Sequence, residues 1–131
     1  MADASYPDDL LYHPEHDWAR VDADDASQAT FGITWYAQDA LGEVVFFEPP
    51  AVGALVTKDE PYAEVESVKA VSDVIAPLSG EIVEVNAALS DSPETINEDP
   101  YGEGWLVRVR LTEPSEREAL VDRATYTASL A

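Results

Sequence analysis

The sequence predicts a mainly β sandwich or small barrel, with short helices and a C-terminal helical tail. Three observations predict it. Short apolar or alternating segments recur along the chain, such as Val44-Val45-Phe46-Phe47, Glu81-Ile82-Val83-Glu84-Val85 and Trp105–Leu111. Turn-forming stretches separate them, notably Pro49-Pro50, Pro77-Leu78-Ser79-Gly80 and Asp99-Pro100-Tyr101-Gly102-Glu103-Gly104. After Ser115 the pattern becomes helical. With 131 residues, 46% of them hydrophobic, the chain is long enough to bury a core. One domain is expected over 1–131, with a β core over about 10–112 and a tail over about 115–130.

In chain order, Asp8–Val21 reads as an apolar approach, Leu10-Leu11-Tyr12, then a strand at Trp18–Val21, joined by the corner His13-Pro14-Glu15-His16-Asp17. Asp22–Ser27 is an acidic turn, and Ala29–Ile33 a strand. Thr34 is placed to cap a helix over Trp35–Leu41 that Gly42 ends. Glu43–Glu48 is a strand, and 52–60 a turn-rich crossing in which Lys58 reads as a solvated charge. Residues 62–76 hold neither Gly nor Pro and exceed an average strand. Val65, Val68, Ser72 and Ile75 fit a helix face, whereas the β-branched content fits two strands turning at Val68-Lys69-Ala70. No Asn-Gly marks that turn, and both readings stay open. Glu81–Val85 is an alternating strand, and Ala63–Glu66 and Val83–Asn86 form a faint repeat. Ser92 is placed to cap a helical turn over Pro93–Asn97. Ser115 with Glu118 spells a capping box, followed by helical pieces over Glu116–Val121 and Ala124–Leu130.

Charge excludes several functions. There are 27 acidic residues against seven basic ones, a formal net charge of −20. Nucleic-acid binding needs a basic footprint, and an anionic membrane repels such a chain. No apolar run approaches a membrane span. The acidity suits a solvated surface, a salt-adapted protein, or steering toward basic partners. The absence of cysteine excludes disulfides, thiolate metal ligation and a cysteine nucleophile. Met1–Ser5 carries neither a secretory pattern nor the arginines of a mitochondrial presequence. A cytoplasmic, prokaryotic setting is expected, and the mitochondrial matrix only if a presequence has been removed.

Two constellations carry chemistry. His13, Glu15, His16 and Asp17 cluster within five residues, but their spacing matches no strong metal pattern and Pro14 disfavours a helix there. No metal site is expected, and an acid–base role for the histidines would lack a nucleophile or phosphate loop beside it. As isolated residues Glu15 and Asp17 read as solvated corner charges. The second constellation is Val65-Glu66-Ser67-Val68-Lys69-Ala70. Lys69 is one of only two lysines, between small apolar neighbours, which suits an enzyme that must grip and acylate it.

Glu66-Ser67-Val68-Lys69-Ala70 resembles the lipoylation motif of the glycine cleavage system H-protein family. His16-Asp17-Trp18, Phe31-Gly32-Ile33-Thr34, Ala37-Gln38, Leu41-Gly42-Glu43-Val44-Val45, Ser79–Asn86 and Asn97–Trp105 match further blocks of that family, in order, from about Tyr12 to Tyr126. The resemblance implies a barrel-sandwich hybrid of the lipoyl-domain type, with Lys69 at a hairpin tip and a lipoyl group in amide linkage to it. It implies a carrier rather than an enzyme. The aminomethyl group of glycine would pass from the P protein, a pyridoxal-phosphate decarboxylase, to the folate-dependent T protein. The L protein, a flavin dehydrogenase, would reoxidise the arm with NAD. Glu66, Ser67 and Asp73 would help a lipoate-attaching enzyme recognise the hairpin. Glu15, Asp17 and Asp73 would line a cleft for the loaded arm. Asp17 stands where the family usually has Glu, and Ala40 where some members have His. A monomer is expected.

Three other uses of this chain are separable. A biotin carrier would place Met beside the lysine, where Val68 and Ala70 stand. A relay of lipoyl groups to 2-oxo-acid dehydrogenases would use the same Lys69. A pure interaction module would survive Lys69→Ala.

Overall fold

The computed structural model describes residues 6–130; the N-terminal stretch Met1–Ser5, read above for targeting signals, lies outside them. Among the described residues, nine strands form two sheets. They are β1 (Leu11–His13), β2 (Asp17–Val21), β3 (Gln28–Ile33), β4 (Val44–Glu48), β5 (Leu55–Val56), β6 (Pro61–Ser67), β7 (Val71–Ile75), β8 (Gly80–Val85) and β9 (Val107–Leu111). The larger sheet has the order β1-β2-β3-β9-β8-β5, and the smaller β4-β6-β7. All the pairings are antiparallel. The core lies between the sheets: Phe31, Ile82 and Val109 from one meet Phe47, Val65 and Val74 from the other. Burying such alternating faces is the main stabilising term.

Helix α1 (Trp35–Leu41) follows its sequence signals closely. The Thr34 hydroxyl accepts from Ala37 N at 3.2 Å. Gly42, at φ 87°, ends the helix in a backbone region that Cβ-bearing residues disfavour. The stretch 62–76 is two strands of one hairpin, so the helical alternative is excluded. Short strand β5, within the expected crossing, pairs with β8. The two halves of the faint repeat fall in different sheets, one on β6 and the other on β8 and its end.

Both Ser caps are corrected. Helix α2 is Thr95–Glu98, and no side chain caps it. The Ser92 contribution is its carbonyl, which accepts from Thr95 N. Pro114–Ala119 is a 3-10 helix without a side-chain cap. Glu116 instead reaches across to Ser79, accepting from its N at 2.8 Å and its Oγ at 3.0 Å. That long-range pair outweighs a local capping box. Lys58 is corrected too: its side chain is only 18% exposed and is paired to Asp59. Helix α3 (Arg123–Ser129) is capped by Asp122.

A second, aromatic cluster fastens the tail: Tyr6, Leu10, Tyr12, Trp18 and Tyr126. Tyr12 and Tyr126 stack at 4.8 Å. Trp18 is fully buried, and its Nε1 donates to Pro100 O at 3.0 Å. It lies across Gly32, where a Cβ would come within 2.5 Å of the indole. Gly32→Ala is therefore expected to destabilise the protein by about 1–3 kcal/mol, the usual range for forced overpacking. Chemical denaturation checks this, and an unchanged midpoint would contradict the packing described.

Candidate functional site

Lys69 stands exposed at the tip of the β6–β7 hairpin. The tip is held from three sides. Ser67 N donates to Ala70 O at 2.7 Å. Ser67 Oγ accepts from Lys69 N at 3.2 Å and Ala70 N at 3.1 Å, the hydroxyl-capped turn that replaces the missing Asn-Gly. Val68 N donates to Glu43 O at 3.0 Å, tying the tip to the segment after α1. That segment is fixed by Asn97, whose Nδ2 donates to Gly42 O and Gln38 Oε1 while its Oδ1 accepts from Val44 N. The Lys69 stem runs alongside Gly42, with Cε 3.3 Å from where a Cβ there would sit.

The two lysines differ in consequence. Lys58 Nζ donates to both carboxylate oxygens of Asp59. Lys69 makes no ion pair among the described residues. Its amine is presented on a rigid turn and left unengaged.

A groove of about 340 Å³ begins beside Lys69, at Ala70 and Val71, and is closed by the corner between β1 and β2. Glu15, His16, Asp17 and Asp73 line it, together with Ala40 and Tyr36 from α1. The structure thus brings Glu15, Asp17 and Asp73 to one concavity. Glu66 is apart from it, on the outward face of β6, between Phe46 and Val71 in register. Ser67 belongs to the tip itself.

Asp17 is not a solvated charge. It is 2% exposed, and its Oδ2 has no hydrogen-bond partner. Loss of hydration raises its carboxyl well above the ordinary aspartate value; the Ile75 N–H opposes this, and the Glu15 charge adds to it. Glu15 and Asp73 are exposed, as a corner charge and a strand-face charge.

The two histidines part company. His13 Nε2 meets Asp59 Oδ1 at 2.6 Å, and its Nδ1 accepts from Glu15 N at 3.0 Å. No group of three metal-binding side chains occurs among the described residues. His16 is in the groove wall, a place that only its adjacency to Glu15 and Asp17 hints at in the sequence. Its backbone is left-handed, at φ 74°, which costs a Cβ-bearing residue roughly 1–2 kcal/mol. Tyr36 packs against its ring at 4.4 Å. Burial lowers its affinity for a second proton; Glu15 opposes this and His13 adds to it.

The family model of the glycine cleavage H-protein matches residues 10–131. This chain belongs to the glycine cleavage H-protein family. The glycine cleavage system H protein of Rubrobacter xylanophilus is 57% identical over 110 residues, covering 84% of this chain and 85% of the relative. That of Symbiobacterium thermophilum is 50% identical over 125 residues, 95% of each chain. A crystal structure of a glycine cleavage system H protein from Mycobacterium marinum superposes with a TM-score of 0.83 at 42% identity, covering 95% of this chain and 98% of that one. The fold of this H-protein family member is accordingly the lipoyl-domain-like barrel-sandwich. No helix among its described residues is long and apolar enough to cross a membrane.

A buried acid with a raised pKa binds its proton more tightly when folded. Its stabilising contribution is complete below the unfolded value of about 3.9 and is lost as pH rises through the folded value. Asp17→Asn removes this loss while keeping an acceptor for Ile75 N–H. The variant is expected to be more stable than the parent at neutral pH by on the order of 1 kcal/mol, with the gap closing below about pH 4. Thermal unfolding across that range checks the sign; a destabilised variant at neutral pH refutes it.

Proposed function

We propose that this protein is the lipoyl-carrying H protein of a glycine cleavage system, with the lipoyl group in amide linkage to Lys69. One observation carries the assignment within the family: Lys69 Nζ is unpaired, exposed and mounted on a turn fixed by Ser67 and Glu43, next to a groove whose lining includes buried Asp17, one carboxyl oxygen of which has no partner. The residues fit an acylated lysine. The tip offers the amine without competing for it, and the groove offers apolar walls for a chain and carboxylates at the far end.

The protein acts as carrier and substrate rather than as catalyst. The attached dithiolane supplies the thiol–disulfide chemistry by which the aminomethyl carbon of glycine passes from P protein to T protein, with reoxidation by L protein. The chain's own residues do the rest. Ser67 and Glu43 fix the direction in which the Lys69 stem leaves. Half-buried Glu66 and exposed Asp73 on the hairpin, with Ser67 at its tip, are the features a lipoate-attaching enzyme would read. Asp17, with Glu15 and Asp73 at the rim, places acceptors for an ammonium carried into the groove. The chain works as a single domain and a monomer, in the cytoplasm of a prokaryotic cell.

Intact mass after exposure to lipoate and a lipoate-attaching enzyme is expected to show one lipoyl amide, located to Lys69 by fragmentation. Lys69→Arg is expected to stay unmodified and to reduce glycine cleavage to background. An adduct on Lys58, a biotin adduct, or no adduct beside a modified control protein would sink the assignment.

Ser67→Ala removes the acceptor for Lys69 N and Ala70 N at an exposed turn. Stability is expected to fall by no more than about 1 kcal/mol, while lipoylation slows several-fold because the turn that carries the amine is no longer held in one geometry. Initial lipoylation rates, compared at equal folded fraction, test this; an unchanged rate means the turn is not what the attaching enzyme reads.

A further inference from the structure

His16 keeps a Cβ-bearing residue at a left-handed corner, φ 74°, where glycine or asparagine would sit more easily. Its ring is also tied to the distant C-terminal helix. Nδ1 lies 2.8 Å from Tyr126 Oη, and Tyr126 Oη lies 2.8 Å from Thr34 Oγ1. Thr34 and Tyr126 are both buried.

The proton order in this chain follows from counting donors. Thr34 Oγ1 already accepts from Ala37 N. Its own proton has to be given away, because Thr34 is buried. Among the described residues Tyr126 Oη is the acceptor in reach. Tyr126 therefore accepts from Thr34, and its single proton goes to His16 Nδ1. Neutral His16 then carries its hydrogen on Nε2, which leaves the ring on the side away from Tyr126. His16 lines the groove, where exposed Glu15 and Asp73 bring only acceptors when ionised.

We infer that the relay Thr34–Tyr126–His16 locks His16 as the Nε2–H tautomer and makes it a hydrogen-bond donor subsite of the groove, recognising a lone-pair acceptor on an acylated Lys69 arm. Tyr126 is the positioning residue, acting through His16 from the C-terminal helix. The tautomer stands on geometry alone; the identity of the acceptor rests on the function proposed above. Two atoms of such an arm have this chemistry, the amide carbonyl oxygen and a ring sulfur.

Nitrogen–proton correlation spectra of the two histidines at mildly alkaline pH, recorded on the unmodified full-length protein, test the relay. His16 Nδ1 is expected to resonate as an unprotonated imidazole nitrogen and Nε2 as a protonated one. A protonated Nδ1 in the parent overturns the inference. Tyr126→Phe, with folding verified from its amide spectrum, is expected to lose the preference, both nitrogens moving toward averaged positions. Thr34→Ser, which keeps the hydroxyl, is expected to retain it. A tautomer unmoved by Tyr126→Phe overturns the positioning role.

The same resonances are then followed in protein acylated on Lys69 with lipoate or with octanoate, acylation being confirmed by mass. A His16 Nε2 shift in both forms supports the inference with the carbonyl as acceptor; a shift in the lipoyl form alone supports it with sulfur. Acylated protein with no shift in either form overturns the donor subsite while leaving the carrier function intact. Failure to acylate in the mass spectrum counts against the carrier function and leaves the tautomer result standing.

Discussion

The side chain of Asn97 uses both amide hydrogens and its carbonyl oxygen to bind three elements at once: α1 through Gln38, the Gly42 cap, and the first residue of β4. This bond set decides where Glu43 lies. Glu43 O in turn receives Val68 N and so decides where the hairpin tip lies. A residue far from Lys69 in sequence thus fixes the base from which Lys69 projects. The tip is otherwise solvent-exposed and has no hydrophobic packing of its own, as Val68 and Val71 are mostly exposed. Backbone and amide hydrogen bonds, not burial, set its direction.

The groove beside the tip is built at a local cost. Asp17 is buried with an oxygen unmatched, and His16 occupies a backbone region that a side chain disfavours. Neither feature helps the fold. Both are tolerated because their surroundings are over-determined. Asp17 begins β2, between His13 and Ile33, and Thr34 N closes onto His16 O. Two sheets with a continuous core hold the corner in place, so strain and desolvation concentrate where a ligand can relieve them.

Much of this was legible in the chain. Thr34 and Gly42 marked both ends of α1 because capping is local chemistry, read within four residues. The groove carboxylates Glu15, Asp17 and Asp73 were reached by family resemblance and do converge. Several of the readings that failed depended on distant partners. Ser115 and Glu118 spell a capping box, but Glu116 binds Ser79, and the segment winds as a 3-10 helix. The burial of Asp17 was hidden because its cover comes from β7, through Ile75, and from β3. His16 was visible as a residue, while its partner Tyr126 lies 110 positions away.

That last separation bears on what the helical tail is. By sequence it reads as an appendage to a finished sandwich. In space Tyr126 stacks on Tyr12, meets Thr34 and His16 through its hydroxyl, and sits in the cluster that buries Trp18. Val121 adds a bridge to Tyr12, with bonds of 2.8 and 2.9 Å in the two directions. The tail therefore seals an aromatic core that the two sheets leave open. It reaches α1 through the same threonine that caps the helix, and the groove through the corner histidine. Helix α3 and the groove wall are parts of one hydrogen-bonded unit, so a loosened tail must be felt at the corner before it is felt in the core between the sheets.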